Sequence, residues 1–149
     1  MKIFSLIALV FLVSCGSDTS EERKNGYSDS PKNPEDSLFQ EVMDLHDVAM
    51  SKMGKLAGYR KQFDGKVDSL KKIKSSSKEL LTTKYGEIST DLKHAEDRMN
   101  AWMEQFSIDS AQDDTKRRIE YLESEKRKVS EVKDEILSAL SKADSALKK

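Results

Sequence analysis

His46, Met50 and Met53 recur at steps of four and three, and Met43 stands one step before the histidine. An imidazole beside thioethers is a soft-metal donor set: neutral histidine binds zinc and copper, and thioethers select Cu(I). At that spacing the side chains share one side of a helix, and Met99 with Met103 further along could complete the coordination sphere. A copper- or haem-binding module built on His46 with Met50 or Met53 is therefore one reading of the chain. The same residues also write the interior of a helical bundle. Methionine fills irregular gaps, and the row Phe39, Met43, His46, Met50, Met53, Ala57 alternates steps of four and three throughout. The bundle reading is preferred, because His94 falls one position off the apolar row of its own segment and no His-x-x-x-His or Glu-x-x-His pair exists. No metal or cofactor ligand is assigned. A histidine inside a bundle needs a polar partner. Glu96 or Asp97 is expected to provide it, with Asp47 turned away toward the flank.

The stretch Ala95 to Phe106 (AEDRMNAWMEQF) has the content of an aromatic ligand box, but Trp, Met and Phe at these steps read as core. Adjacent carboxylates such as Glu96-Asp97 and Asp113-Asp114 point to different helix faces or cap a helix, which is unsuited to paired acid–base work. The chain contains no glycine-rich phosphate loop, nucleophile elbow or zinc-protease motif. The run KRRIEYLESEKRK, residues 116 to 128, mixes both signs of charge and reads as a solvated face. These residues define no catalytic constellation, so the expected role is non-enzymatic.

Three long helices are predicted to carry these side chains. Asn33-Pro34-Glu35-Asp36 is a helix start, with Asn as cap, Pro at the first helical position and acids in the first turn. A second apolar row, Leu38, Val42, Leu45, Ala49, Leu56, Tyr59, Phe63, lies beside the methionine row and continues through Val67, Leu70 and Ile73. A face this broad must meet more than one neighbour. Gly54, Gly58 and Gly65 leave room for a break or bend, and a break near Gly65 would make four helices. Ser76 to Glu79 fits a capping box for a second helix. Its row, Leu81, Tyr85, Ile88, Leu92, Ala95, Met99, Trp102, Phe106, has the spacing of a supercoiled seam. After the polar SIDSAQDDT loop, a third helix is expected to bury Ile119, Leu122, Val129, Val132, Ile136, Leu140, Ala143 and Leu147. The expected fold is an all-α, up-down-up antiparallel three-helix bundle over 34–147, with helices at about 34–74, 77–106 and 112–147. Residues 66 to 84 hold six lysines and two acids, and residues 86 to 114 hold eight acids and two bases. Antiparallel neighbours carrying these blocks would match in charge.

The N-terminus has a different character. Met1-Lys2 precedes an apolar run from Ile3 to Val13, 11 residues long, against the roughly 20 that a membrane span needs. It leads into Leu12-Val13-Ser14-Cys15-Gly16, which resembles the bacterial lipoprotein signal. By that resemblance residues 1–14 are removed, the Cys15 thiol takes a diacylglycerol, and the freed amine is acylated. Several acyl chains anchor stably where one is marginal. Residues 15–33 hold almost nothing apolar besides Tyr27 and read as a disordered tether. The early Ser17-Asp18 and Glu21-Glu22 resemble the surface-export tethers of Bacteroidetes lipoproteins, and suit a plain solvated linker equally. The expected location is the cell envelope, on the outer membrane, facing the periplasm or the surface. A formal net charge of -1 over 149 residues offers no footprint for nucleic acid. With one cysteine in the chain, no internal disulfide can form.

Taken together, HDVAMSKMG, AEDRMNAWMEQF and IEYLESEKRKVSEVKDEIL resemble a family of small lipoproteins of flavobacteria and related Bacteroidetes, often labelled "viral A-type inclusion protein". The label reflects coiled-coil similarity rather than a viral role. His46, Asp47, Met50, Met53 and Gly54 match one element of that family; Asp97, Met99, Trp102, Met103 and Phe106 match another. Ser51 stands where the family carries proline. The resemblance spans roughly residues 36–147 and implies a lipoprotein with no catalytic residues to carry over. The expectation is a lipid-anchored bundle with a structural or protein-interaction role, its protein partner unknown.

Overall fold

The computed structural model describes residues 33–74 and 78–148. The signal segment 1–14, the lipid-attachment cysteine Cys15, the tether as far as residue 32 and the capping box from Ser76 lie outside the described residues. Three helices follow one another: α1 (Pro34–Lys71), α2 (Lys78–Gln105) and α3 (Thr115–Leu147). They pack as an antiparallel bundle, all three in mutual contact, and no strand occurs among the described residues.

The start of α1 is set by Asn33, whose extended backbone stands outside the helix while its side-chain oxygen accepts the Asp36 N–H at 2.8 Å. The helix then runs unbroken through Gly54, Gly58 and Gly65, and a Cβ at any of the three would meet only open space. The glycines therefore mark neither a break nor a close approach, and the four-helix alternative is not realised. Each costs about 1 kcal/mol relative to alanine in helix propensity, which a helix held on two sides by neighbours tolerates. Closure comes at Lys71, short of the expected residue 74, where Lys72 N–H turns back to Ser69 O at 3.2 Å. Between α2 and α3 the chain turns through Ala111, which holds a positive φ of 56°, a conformation costing a non-glycine residue roughly 1–2 kcal/mol. The cap of α3 is Asp114, which accepts the Arg117 N–H at 3.0 Å, so the helix begins three residues beyond the expected 112.

The core resolves which row of α1 faces inward. Val42, Ala49, Leu56 and Phe63, spaced seven apart, are all fully enclosed. Met43, His46 and Met53 are only half-buried, and Met50 is 36% exposed. On α2 the expected seam is buried from Ile88 through Leu92, Ala95, Met99 and Trp102, but Leu81 at its head is exposed. On α3, Leu122, Val129, Val132, Ile136, Leu140 and Ala143 are buried as expected, joined by Ala139, while Ile119 and Leu147 are half-buried.

The register can be followed through cross-helix contacts. Phe39 meets Phe106, His46 meets Trp102 and Arg60 meets Glu96 between α1 and α2. Lys142 meets Asp91 between α3 and α2, and Lys55 meets Asp144 between α1 and α3. Leu147 therefore lies near residue 60 of α1 and residue 85 of α2. Beyond that level α1 and α2 continue alone, as a two-helix tip. The tip overturns the expected charge match. The connection between α1 and α2 falls within the basic block, and among the described residues none of its lysines forms an ion pair with an acid of residues 86–114. The ties that do form across helices lie lower down, between α1, α2 and α3.

Candidate functional site

Seven-residue spacing along α1 and α2 brings most of the chemistry-bearing side chains to the end of the bundle opposite the tip. Here Trp102 and Phe106 of α2 stack at 4.9 Å between ring centroids, and Phe106 stacks in turn on Tyr121 of α3 at 6.2 Å and Phe39 of α1 at 6.3 Å. Offset rings at such separations are favourable beyond the area they bury. The Arg118 guanidinium lies over both Phe39 and Tyr121, 5.8 and 6.0 Å from their centroids. Its Nη1 donates to Ser110 O at 2.8 Å, beside the strained Ala111, and the Tyr121 hydroxyl accepts Ser107 N–H at 2.8 Å. This cluster locks the α2–α3 turn onto the bundle.

Glu125 is the most unusual group in this region. It is 3% exposed, accepts the indole N–H of Trp102 at 3.0 Å and receives the Lys128 ammonium at 2.7 Å. A buried carboxylate is tolerated when it is hydrogen-bonded and paired, and these two donors give each of its oxygens a partner. Arg118, 7% exposed, is the second buried charge. The expected solvated face across residues 116–128 is present in Lys116, Arg117, Glu120, Glu123, Arg127 and Lys128, which are exposed. Arg118 and Glu125 depart from it: with Leu122 and Val129 they form the inward row of α3, at steps of four, three and four. The spacing was visible in the sequence. Its charges disguised it, because long polar side chains at inward positions look like surface until their partners are known.

His46 also differs from expectation. Its ring tilts against Trp102 at 5.6 Å between centroids, and its Nδ1 lies 3.0 Å from Asp47 Oδ1. A carboxylate can only accept, so this contact places the proton on Nδ1. The neighbour Asp47 is the partner, not Glu96 or Asp97, and it is not turned away. Glu96 lies 3.1 Å from Arg60, and Asp97 lies 2.5 Å from Lys93 on its own helix. His46 is half-buried rather than enclosed, and His94 is solvent-facing as expected, its side chain 67% exposed. Among the described residues no group of three or more His, Cys, Asp or Glu side chains is arranged to hold a metal ion.

A second polar knot ties α1 to α3. The Tyr59 hydroxyl donates to Asp144 Oδ1 in a short bond, and Lys55 Nζ reaches Asp144 Oδ2 at 3.0 Å while lying 4.9 Å from the Tyr59 ring centroid. The Tyr59 hydroxyl first, then the Lys55 ammonium, hold Asp144 below its usual 3.8. The Asp114 cap is likewise lowered, chiefly by the Arg117 backbone N–H. A carboxylate whose folded pKa is depressed contributes stability above its unfolded value, and that contribution fades as pH falls through the folded pKa. Acid is therefore expected to loosen the bundle below about pH 4. The expected result is that Asp144→Asn melts below the wild type at neutral pH, with the gap closing on acidification. A gap in melting temperature that stays constant between about pH 5 and pH 2 would show that Asp144 contributes nothing through its charge.

A groove of about 550 Å³ runs between α2 and α3, past Asp91, His94, Glu131, Glu135 and Lys142. Two of its acids are paired: Asp91 with Lys142 at 2.8 Å, and Glu135 with Arg98 at 3.4 Å. No family model matches this chain, and no match was found among curated proteins or solved structures.

Proposed function

We propose that this chain is a lipid-anchored helical rod of the cell envelope whose work is structural or protein-binding rather than chemical. One observation supports the reading above others: the side chains capable of chemistry are committed to holding helices together. His46 is engaged by Trp102 and Asp47, Glu125 by Trp102 and Lys128, and Asp144 by Tyr59 and Lys55. The anchor rests on the apolar run from Ile3 to Val13 and the Ser14-Cys15-Gly16 that follows it. No helix among the described residues is long and apolar enough to cross a membrane, so attachment through Cys15 would leave the bundle outside the bilayer. Kinship with the flavobacterial lipoproteins named above is part of the same proposal and rests on the His46–Gly54 and Asp97–Phe106 elements. In a bacterial host that processes lipoproteins, the wild-type chain is expected in the membrane fraction and Cys15→Ser in the soluble envelope fraction. Recovery of Cys15→Ser firmly bound to membranes would sink the anchor.

A further inference from the structure

The two-helix tip joins two features with no use inside the molecule. The first is charge. Lys66, Lys71, Lys72, Lys74, Lys78 and Lys84 all fall within residues 66–84, where Asp68 and Glu79 are the acids. Lys66 lies over the Tyr85 ring at 5.6 Å and Lys71 reaches Asp68 of its own helix at 3.4 Å. Among the described residues none of the six makes an ion pair to another helix. The second feature is apolar surface. Leu80 is 76% exposed, Ile73 51% and Leu81 36%, on a chain whose other leucines are mostly covered. Exposed apolar side chains in a stretch with a large excess of positive charge mark a contact site.

The chemistry of the tip selects the occupant. Its lysines complement an anionic surface, and a fluid surface moulds itself around exposed leucines. A second copy of the chain would set two lysine clusters against each other. Single-stranded nucleic acid is read by stacked aromatics and arginine, and the tip offers lysine with leucine and isoleucine. We infer that the tip docks on an anionic lipid surface, the lysines meeting phosphate headgroups and Ile73, Leu80 and Leu81 entering the acyl boundary. A lysine near such a surface strengthens binding roughly five-fold. Helix α1 has 38 residues, so the tip stands roughly 57 Å from Pro34. It would therefore face away from a membrane holding the N-terminus. The inference itself does not depend on that anchor.

The fragment 34–149 contains every residue of the hydrophobic core and lacks Cys15, so its binding cannot come from the lipid. Cosedimentation with vesicles of phosphatidylcholine alone, or mixed with phosphatidylglycerol, tests the inference. Circular dichroism confirms that each variant is helical. Binding at least ten-fold tighter to the anionic vesicles and weakened by salt is expected. Lys72→Glu with Lys74→Glu should abolish most of it, and Leu80→Ser with Leu81→Ser should lower it at every salt concentration. Lys116→Glu with Arg127→Glu, an equal charge change far from the tip, should leave it intact. No binding to either vesicle, equal binding to both, or tip variants that bind like wild type would each overturn the inference. So would tighter binding to single-stranded DNA than to vesicles, insensitive to the leucine changes.

Discussion

Phe63→Ala is expected to lower the unfolding free energy by about 3–5 kcal/mol, the usual cost of truncating an enclosed aromatic side chain. Phe63 is fully buried, sits on the inward row of α1 and packs its ring against Tyr85 at 5.6 Å between centroids. It lies just where α3 ends, so it carries much of the burial that holds the tip to the rest of the rod. Single domains have only about 5–15 kcal/mol of net stability, so this one change should remove about a fifth of the total or more. Chemical denaturation gives the number directly, and an unchanged slope with a lower midpoint would locate the effect in the folded core. A loss under about 1 kcal/mol would mean that the site is open enough to let water or neighbouring side chains fill the space.

The second large effect belongs to Trp102 and Glu125, and its size depends on whether one partner or both are changed. Glu125→Leu leaves the indole N–H of a 6%-exposed tryptophan with no acceptor, a loss of about 1–3 kcal/mol. Trp102→Phe leaves a buried carboxylate with Lys128 as its remaining partner and adds lost aromatic packing, for a cost of similar size or larger. Changing both removes the polar pair altogether. An apolar replacement of matched shape is often neutral, because no charge then needs to be desolvated. The double variant is therefore expected to be more stable than the sum of the single losses allows, by about 0.5–3 kcal/mol of coupling. Strict additivity would show that the 3.0 Å contact carries no energy of its own.

Much of the fold was legible because its signal is periodic. The α2 seam from Ile88 to Trp102 and the α3 row from Leu122 to Ala143 read correctly from spacing alone, as did the start of α1 from Asn33-Pro34. On α1, spacing could not choose between two adjacent rows, since both alternate three and four. That choice depends on where α2 and α3 lie, and it went to Val42, Ala49, Leu56 and Phe63. The site was less legible, for three separate reasons. Glu125 and Arg118 look like surface residues until Trp102, Phe39 and Tyr121 are placed around them. His46 found its partner one residue away, although adjacent helical side chains do not ordinarily face each other. The lysine block could not be read from charge sums over segments, because its turn lies within the block.

The chain holds one tryptophan, and the structure sets it deep in the aromatic stack beside Glu125 and His46, far from the tip. Intrinsic fluorescence is consequently a local reporter: it reads the optical surroundings of one end of a long rod. Far-ultraviolet circular dichroism averages over every helical residue, the tip included. Where two helices stand without the third, opening free energies should be lowest. The two signals need not coincide along a melt, and their separation would measure how independently the ends of this rod unfold.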